Sequence, residues 1–311
     1  MGKRSIDQIE GGARRESKEE QKGRGTCYRI VPIMLCLLLW RCGNNQGIHT
    51  NITVYSPKQA AGLINGEIPH HINTVPLPGH AFPVCGTVSH HLLVSPVINA
   101  WFRELKSRRT DIRTFIIISP NHDRSGSSNI SFSSRDWNTA GSITRVSETV
   151  VRALQDGLQL KDDDLAFYNE HGIEAMLPFI NHYYPGAEIV PILVDEKRKA
   201  GALNAKLADG IFTIMNSRDD VFLIISADFS HRFGRTETDR NDVKSRRSLL
   251  SLTIHPARPC TDNTTGMMIL YSACKALGTM NTHIFCHTDA EKYLSTTMKR
   301  NITSYFFTFH Y

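Results

Sequence analysis

Histidine and carboxylate side chains occur at four places where the sequence predicts that a strand ends or a helix begins. Imidazole and carboxylate are ligands that zinc, iron and copper share, so two or three of these side chains on one ion would make a first-row metal site. Read singly, each histidine is more often a hydrogen-bonded loop residue, and no HxH or HExxH motif defines a ligand set. The positions are His90, His122, the pair Glu170 and His171, and the pair Asp228 and His231.

Two short apolar runs deliver some of these residues. Residues 115–118 form a β-branched run that stops at a proline and leads to His122. Residues 221–226 form a second short apolar run, which leads to Asp228 and His231. Both runs are typical of buried parallel strands, whose carboxyl ends meet at one edge of a sheet. The sequence therefore predicts one shared site at that edge.

Apolar patterns typical of strands alternate along the chain with patterns typical of helices, and this alternation predicts the fold class. Further strands are expected at 189–194, 282–286 and 304–309, and helices at 92–105, 146–158, 170–184, 200–215 and 264–277. Strands that alternate with helices of this length indicate a parallel sheet with helices packed on it. We therefore predict a single α/β domain over residues 85–311, with a largely parallel sheet flanked by helices.

Composition excludes several classes of protein. The chain has 311 residues, of which 41% are hydrophobic and 21% charged, as in ordinary globular proteins. Residues 1–29 supply half of the net charge of +6, and no basic stripe interleaved with aromatic residues follows, so a nucleic-acid partner is not expected. The seven cysteines contain no CxxC pair, which argues against a disulfide framework and a structural zinc site.

The N-terminal quarter of the chain, residues 1–84, lacks the patterns of the domain. Residues 1–28 are predicted to be a disordered tail of mixed charge, and residues 29–42 to be a signal-like or membrane-anchor apolar segment. Its apolar run, residues 30–40, is short for a bilayer span. If it acts as a signal, the protein is exported or attached to a membrane through residues 30–40; otherwise it is cytoplasmic. Residues 43–84 are expected to be a loop-rich linker with one helix near 58–63.

Several short motifs occur in an order that resembles a known family. They are GTVSH at 86–90, SPNH at 119–122, EHGIE at 170–174, IVPILV at 189–194, SADFSH at 226–231 and TSY at 303–305. In this order they resemble the Memo family, also called AmmeMemoRadiSam system protein B. The resemblance covers residue 85 to the C-terminus and implies a fold similar to that of the class III extradiol ring-cleaving dioxygenases, which hold a non-haem iron.

The resemblance also implies a set of metal ligands. Memo-like pockets have two histidines and a cysteine, which correspond here to His90, His122 and Cys260. Asp262 is a rival to the cysteine and would make a harder, more iron-like site. His91 competes with His90 as a ligand, although alternation along a strand would point it the other way. The cofactor implied is iron or copper, with zinc also compatible.

The other matching residues would carry the chemistry. His231 corresponds to the acid–base histidine of the dioxygenases, with Asp228 beside it, and Glu170 and His171 match a motif whose role cannot be derived from the residues. Because metal-binding imidazoles must be neutral, binding should weaken below about pH 6. The resemblance implies a function in redox chemistry or metal handling. The partner would be a small molecule or peptide whose identity is undetermined.

Two other functions remain open at this point. In one, the pocket is catalytically silent and the protein is a binding or signalling module for a peptide or protein partner. In the other, the protein is a true ring-cleaving dioxygenase, which the cysteine in place of a carboxylate disfavours. The family name further implies a functional link to radical-SAM and AMMECR-type proteins.

Overall fold

Eleven strands and nine helices lie in the part of the chain that this computed structural model describes, residues 52–53, 55–168, 170–196, 201–254 and 259–311. The strands are β1 (Ile52–Thr53), β2 (Cys85–Val88), β3 (Thr114–Pro120), β4 (Ile130–Phe132), β5 (Trp137–Thr139), β6 (Ser142–Thr144), β7 (Glu188–Val194), β8 (Val221–Ser226), β9 (Phe229–Phe233), β10 (Thr282–Asp289) and β11 (Ile302–His310). The helices are α1 (Pro57–Ile64), α2 (Ser95–Arg108), α3 (Glu148–Leu158), α4 (His171–Glu174), α5 (Leu177–Tyr183), α6 (Gly201–Ser217), α7 (Arg235–Ser251), α8 (Thr264–Ala276) and α9 (Ala290–Leu294).

The predictions for residues 1–28 and 29–42 lie outside the described residues. Within the described ranges, every helix is too short or too polar to cross a lipid bilayer.

Four parallel strands form the centre of the main sheet, in the order β2, β8, β3, β7. Nearly all of their side chains are buried, which explains why they read as continuous apolar runs rather than as alternating ones. Antiparallel strands complete the edges, with β4 beside β7, and β11 and β10 beyond β2. The predicted α/β class with a mostly parallel central sheet is confirmed.

The register of the central strands brings their carboxyl ends to one edge. Val88 of β2 pairs with Ser226 of β8, and the last residues of β3 run beside those of β7 and β8. His90, His122 and Asp228 each follow two residues after the end of β2, β3 and β8, respectively. The backbone alone therefore brings these three residues to the same edge of the sheet.

Helices pack against the sheet in separate groups. One group is α1, α2 and α5, another is α3, α6 and α8, and α7 contacts β9, β10 and β11. In the first group, Trp101 of α2 stacks on Phe309 of β11 with ring centroids 4.7 Å apart, and Phe102 stacks on Phe179 of α5 at 5.7 Å. Large aromatic side chains thus fill the core between this group and the sheet.

Two helical features differ from the sequence-based expectation. The helix predicted over 170–184 is two helices, α4 and α5, because Pro178 in the first turn of α5 cannot continue the preceding helix. No helix is predicted over 235–251, where the structure has α7. Its buried face is made of small polar residues such as Asn241, Ser245 and Ser248, so it lacks the apolar stripe on which the prediction depends.

Candidate metal centre

His122 is oriented by the buried carboxylate of Glu170. The Nδ1 atom of His122 lies 2.7 Å from Oε1 of Glu170, and its backbone N–H donates to Oε2 at 2.9 Å. Glu170 is 1% exposed and also accepts a hydrogen bond from the backbone N–H of Gly172, so it caps α4. When His122 carries a single proton, that proton lies on Nδ1. Its Nε2 lone pair is then free for a metal, as in carboxylate–histidine–metal arrangements.

His90 is oriented by a serine hydroxyl. Its Nδ1 atom lies 3.0 Å from Oγ of Ser226, and that hydroxyl donates its one proton to the backbone oxygen of Gly172 at 2.8 Å. The hydroxyl must therefore accept from Nδ1–H of His90. The neutral ring then has its lone pair on Nε2, which lies 3.4 Å from Oδ2 of Asp262 and 3.8 Å from Oδ2 of Asp228.

Asp262 supplies a carboxylate oxygen that has no donor. Its Oδ1 accepts the backbone N–H of Asp228 at 2.9 Å, whereas Oδ2 is buried without any hydrogen-bond partner among the described residues. That Oδ2 lies 3.4 Å from Nε2 of His90 and 3.9 Å from Nε2 of His122. A buried charged oxygen without a donor is costly, and a cation would satisfy it. These donors therefore fit a divalent metal ion.

The loop that carries Asp262 is fixed to the ends of two central strands. Thr261 donates its hydroxyl proton to the backbone oxygen of Asp228 at 2.8 Å. The side-chain amide of Asn263 donates to the backbone oxygens of Ile118 and Ser226, and its Oδ1 accepts from Gly266 at the start of α8. The position of the Asp262 carboxylate is thus set by β3, β8 and the cap of α8.

Asp228 and His171 are the remaining polar residues beside the two histidines. Together with His90, His122 and Asp262 they form what we call the floor of the site. Asp228 is buried and accepts a hydrogen bond from Oγ of Ser89 at 2.6 Å; burial raises its pKa, and the charge of His90 opposes this. The ring of His171 is stacked on that of His122, with centroids 4.2 Å apart and planes 29° apart. Two groups of described residues bring ligand atoms within 4.8 Å of one another, namely His90 with His122 and His171, and His90 with Asp228 and Asp262.

The carboxylates favour a positive charge at the centre of the site. Burial would lower the pKa of His122, but Asp262 and Glu170 outweigh burial and raise the pKa to about 10. Burial would raise the pKa of Asp262, yet His90 and His122 hold it well below its usual range. Burial and the charges of His122 and His90 lower the pKa of His171 to about 4. At neutral pH a proton on His122 therefore occupies the place that suits a metal ion.

A cavity of about 640 Å³ opens above this floor. Of the residues singled out in the sequence, His90, His122, His171, Asp228 and His231 line it. Glu170 lies behind His122 and does not reach the cavity wall. Residues that the sequence did not single out complete the wall: Tyr55, Leu92, Ala175, Arg232, Asn301 and Thr303. His91 also lines the cavity, while its Nδ1 accepts from the backbone N–H of Leu93.

Cys260 is in the same loop as Asp262 but has a different environment. Unlike Asp262, it belongs to neither metal-capable group of the described residues, and neither of the two lines the cavity. Its backbone N–H donates to Oγ of Ser245, its backbone oxygen accepts from Ser230, and burial raises the pKa of its thiol. The structure thus brings Asp262, rather than Cys260, up to the two histidines.

Comparisons with known proteins agree with this architecture. A family model described as Memo-like protein matches residues 87–271, more than half of the chain. A MEMO1 family protein of Caldivirga maquilingensis is 30% identical over 146 residues, which are 45% of this chain and 50% of the relative. A MEMO1 family protein of Pyrobaculum aerophilum is 26% identical over 171 residues, 54% of this chain and 60% of the relative. The match spans half to three fifths of the length of these relatives. On the extent of the family match, the chain belongs to the Memo family.

Proposed function

We propose that this protein binds one divalent metal ion through His90, His122 and Asp262, and that it is a non-haem metal-dependent oxidoreductase. The observation that carries the proposal is the buried Oδ2 of Asp262, which has no donor and lies within 4 Å of Nε2 of both histidines. Two histidines and one carboxylate are the ligand set typical of non-haem iron(II) enzymes, so iron is the metal we expect. When bound, such an ion supplies open coordination positions for oxygen or substrate.

His171 is less suited than Asp262 to be the third ligand. The lone pair of an imidazole nitrogen lies in the plane of its ring, and the ring of His171 is stacked on that of His122. Lone pairs of two stacked, nearly parallel rings do not converge on one ion. His171 is half exposed, with 56% of its side chain accessible, and it lines the cavity beside His122.

The remaining residues position ligands and handle protons. Glu170 holds the proton on Nδ1 of His122, and Ser226 does the same for His90. His231 lines the cavity, and burial lowers its pKa, so it is neutral at physiological pH and able to accept a proton. We propose His231 as the acid–base residue, as its correspondence with the dioxygenases implies.

The experiment is equilibrium dialysis of the full chain against iron(II) under anaerobic conditions, without a histidine tag. We expect about one ion per wild-type chain and none in the His90→Ala/His122→Ala double variant. The matched control His171→Ala removes a neighbouring imidazole and should keep the ion. Iron retained by the double variant, or no binding by folded wild-type protein, would overturn the proposal and favour a binding module without metal.

A further inference from the structure

Strand β9 carries a two-residue bulge beside the cavity. It pairs with β11 at Phe229 opposite Ser304 and at Phe233 opposite Ile302. Between these two pairs β9 has three residues, 230–232, whereas β11 has one. Bulges of this kind redirect side chains and are frequent beside active sites. Here the bulge places both His231 and Arg232 at the cavity wall.

The bulge is held in place by contacts from three sides. Ser230 and Arg232 have φ angles of 41° and 67°, a backbone conformation that costs about 1–3 kcal/mol at each residue unless the surroundings support it. The hydroxyl of Ser230 donates to Oδ1 of the buried Asp242 at 2.6 Å, and its backbone N–H donates to the backbone oxygen of Cys260 at 2.9 Å. Asp242 also accepts from Ser304 of β11. The fold therefore maintains an unfavourable backbone that presents Arg232.

Arg232 is exposed to solvent, and its charge has no partner among the described residues. Of the described residues that line the cavity, it is the one with a permanent positive charge, and no hydrogen bond or ion pair links it to any residue that the structure describes. Of the two nearby aspartates, Asp228 lines the cavity and Asp262 does not, and both have a carboxylate oxygen within 4 Å of Nε2 of His90. An anionic group of a ligand is therefore favoured at the Arg232 end of the cavity and disfavoured at the bare floor.

We propose that Arg232 binds the carboxylate of a small organic anion whose other end reaches His90, His122 and Asp262. This inference rests on the proposed function and names its substrate class. A planar guanidinium pairs with a carboxylate through two parallel hydrogen bonds, and a single arginine suits a singly charged carboxylate better than a phosphate dianion. A cavity of about 640 Å³ is large enough for such a molecule.

The test compares two probes of nearly the same shape, 3,4-dihydroxybenzoate with its negatively charged carboxylate and 3,4-dihydroxybenzamide with a neutral carboxamide. Their binding to the full chain is measured by calorimetry, once with chelator-treated protein and once with zinc-loaded protein, since zinc is redox-inactive. We expect the acid to bind at least about tenfold more tightly than the amide, as is typical of a charge-assisted hydrogen bond. Arg232→Gln should abolish this preference, and Arg232→Lys should restore part of it. The control Arg247→Gln, at an exposed arginine of α7, should leave it intact.

The outcomes separate the two proposals. Equal affinity for acid and amide in both protein preparations, or a preference that survives in Arg232→Gln, would overturn the assignment of Arg232. An acid preference that depends on Arg232, with affinities of both probes that are the same with and without zinc, would support Arg232 and contradict the metal site. A preference that depends on Arg232, with tighter binding of both probes to the zinc-loaded protein, supports both.

Discussion

Metal binding by this site should release a proton from His122. In the metal-free protein the carboxylates of Asp262 and Glu170 raise the pKa of His122 from 6.5 to about 10. Protonated His122 therefore contributes to the stability of the metal-free fold. This contribution is fully present below pH 6.5 and is lost as the pH rises through 10. A metal ion must displace the proton on Nε2, so the affinity for metal changes in the opposite direction and increases with pH.

The size of this effect follows from the pKa. Between pH 7 and 9, where His122 is mostly protonated, the affinity should rise about tenfold per pH unit, or about 3 kcal/mol over the interval. An ordinary imidazole would be neutral throughout this range and give a nearly flat profile. The environment of His122 therefore extends proton competition well above the value of about pH 6 that the sequence alone predicts.

The assay is a zinc titration against a competing chelator at several pH values, corrected for protonation of the chelator. Glu170→Gln removes one of the two carboxylates that raise the pKa of His122, so the pH dependence should shift to lower pH, and the limiting affinity reached once His122 is deprotonated should fall by about 10–100-fold. The control Glu148→Gln removes an exposed carboxylate of α3 and should match wild type. A flat profile from pH 7 to 9 in wild-type protein would refute the reasoning.

Two further predictions concern the elements that support the site, both measured by chemical denaturation. Gly172→Ala would place a Cβ against Oγ of Ser119, so either that hydroxyl must rotate or α4 must shift, and we expect the free energy of unfolding to fall by about 1–3 kcal/mol. Gly157→Ala has open space in α3 and should stabilise by up to about 1 kcal/mol. If Gly172→Ala changes the free energy of unfolding by no more than Gly157→Ala does, this account is contradicted. Asp242→Ala leaves two serine hydroxyls and a histidine without their acceptor and should cost about 3 kcal/mol. Asp239→Ala on the exposed side of the same helix should cost less than about 1 kcal/mol, and equal losses would refute the role given to Asp242.

The central sheet and the placement of the histidines could be predicted because they depend on local sequence. Each central strand is buried on both faces and therefore reads as an uninterrupted apolar run. In a parallel sheet the residue that follows each run must lie at the same edge. His90, His122 and Asp228 follow their strands at equal distances, so the shared edge needs no long-range information.

The features that escaped prediction depend on tertiary contacts. Helix α7 buries serine, threonine and asparagine side chains, which leave no hydrophobic periodicity to detect. The bulge in β9 is maintained by Asp242 and by the register with β11, neither of which is visible in a short window of sequence. In the loop at 259–263, Cys260 and Asp262 are equally plausible ligands by type. Only the backbone contacts of Asp228 and the cap of α8 decide which of the two faces the histidines.

The most direct test of the proposed site is elemental analysis of Asp262→Ala and Cys260→Ala beside wild-type protein, each purified anaerobically without a histidine tag. We expect one metal ion per chain in wild type and in Cys260→Ala, and none in Asp262→Ala, while all three proteins remain folded by circular dichroism. Metal retained by Asp262→Ala and lost from Cys260→Ala would contradict this account and assign the third ligand to the thiolate.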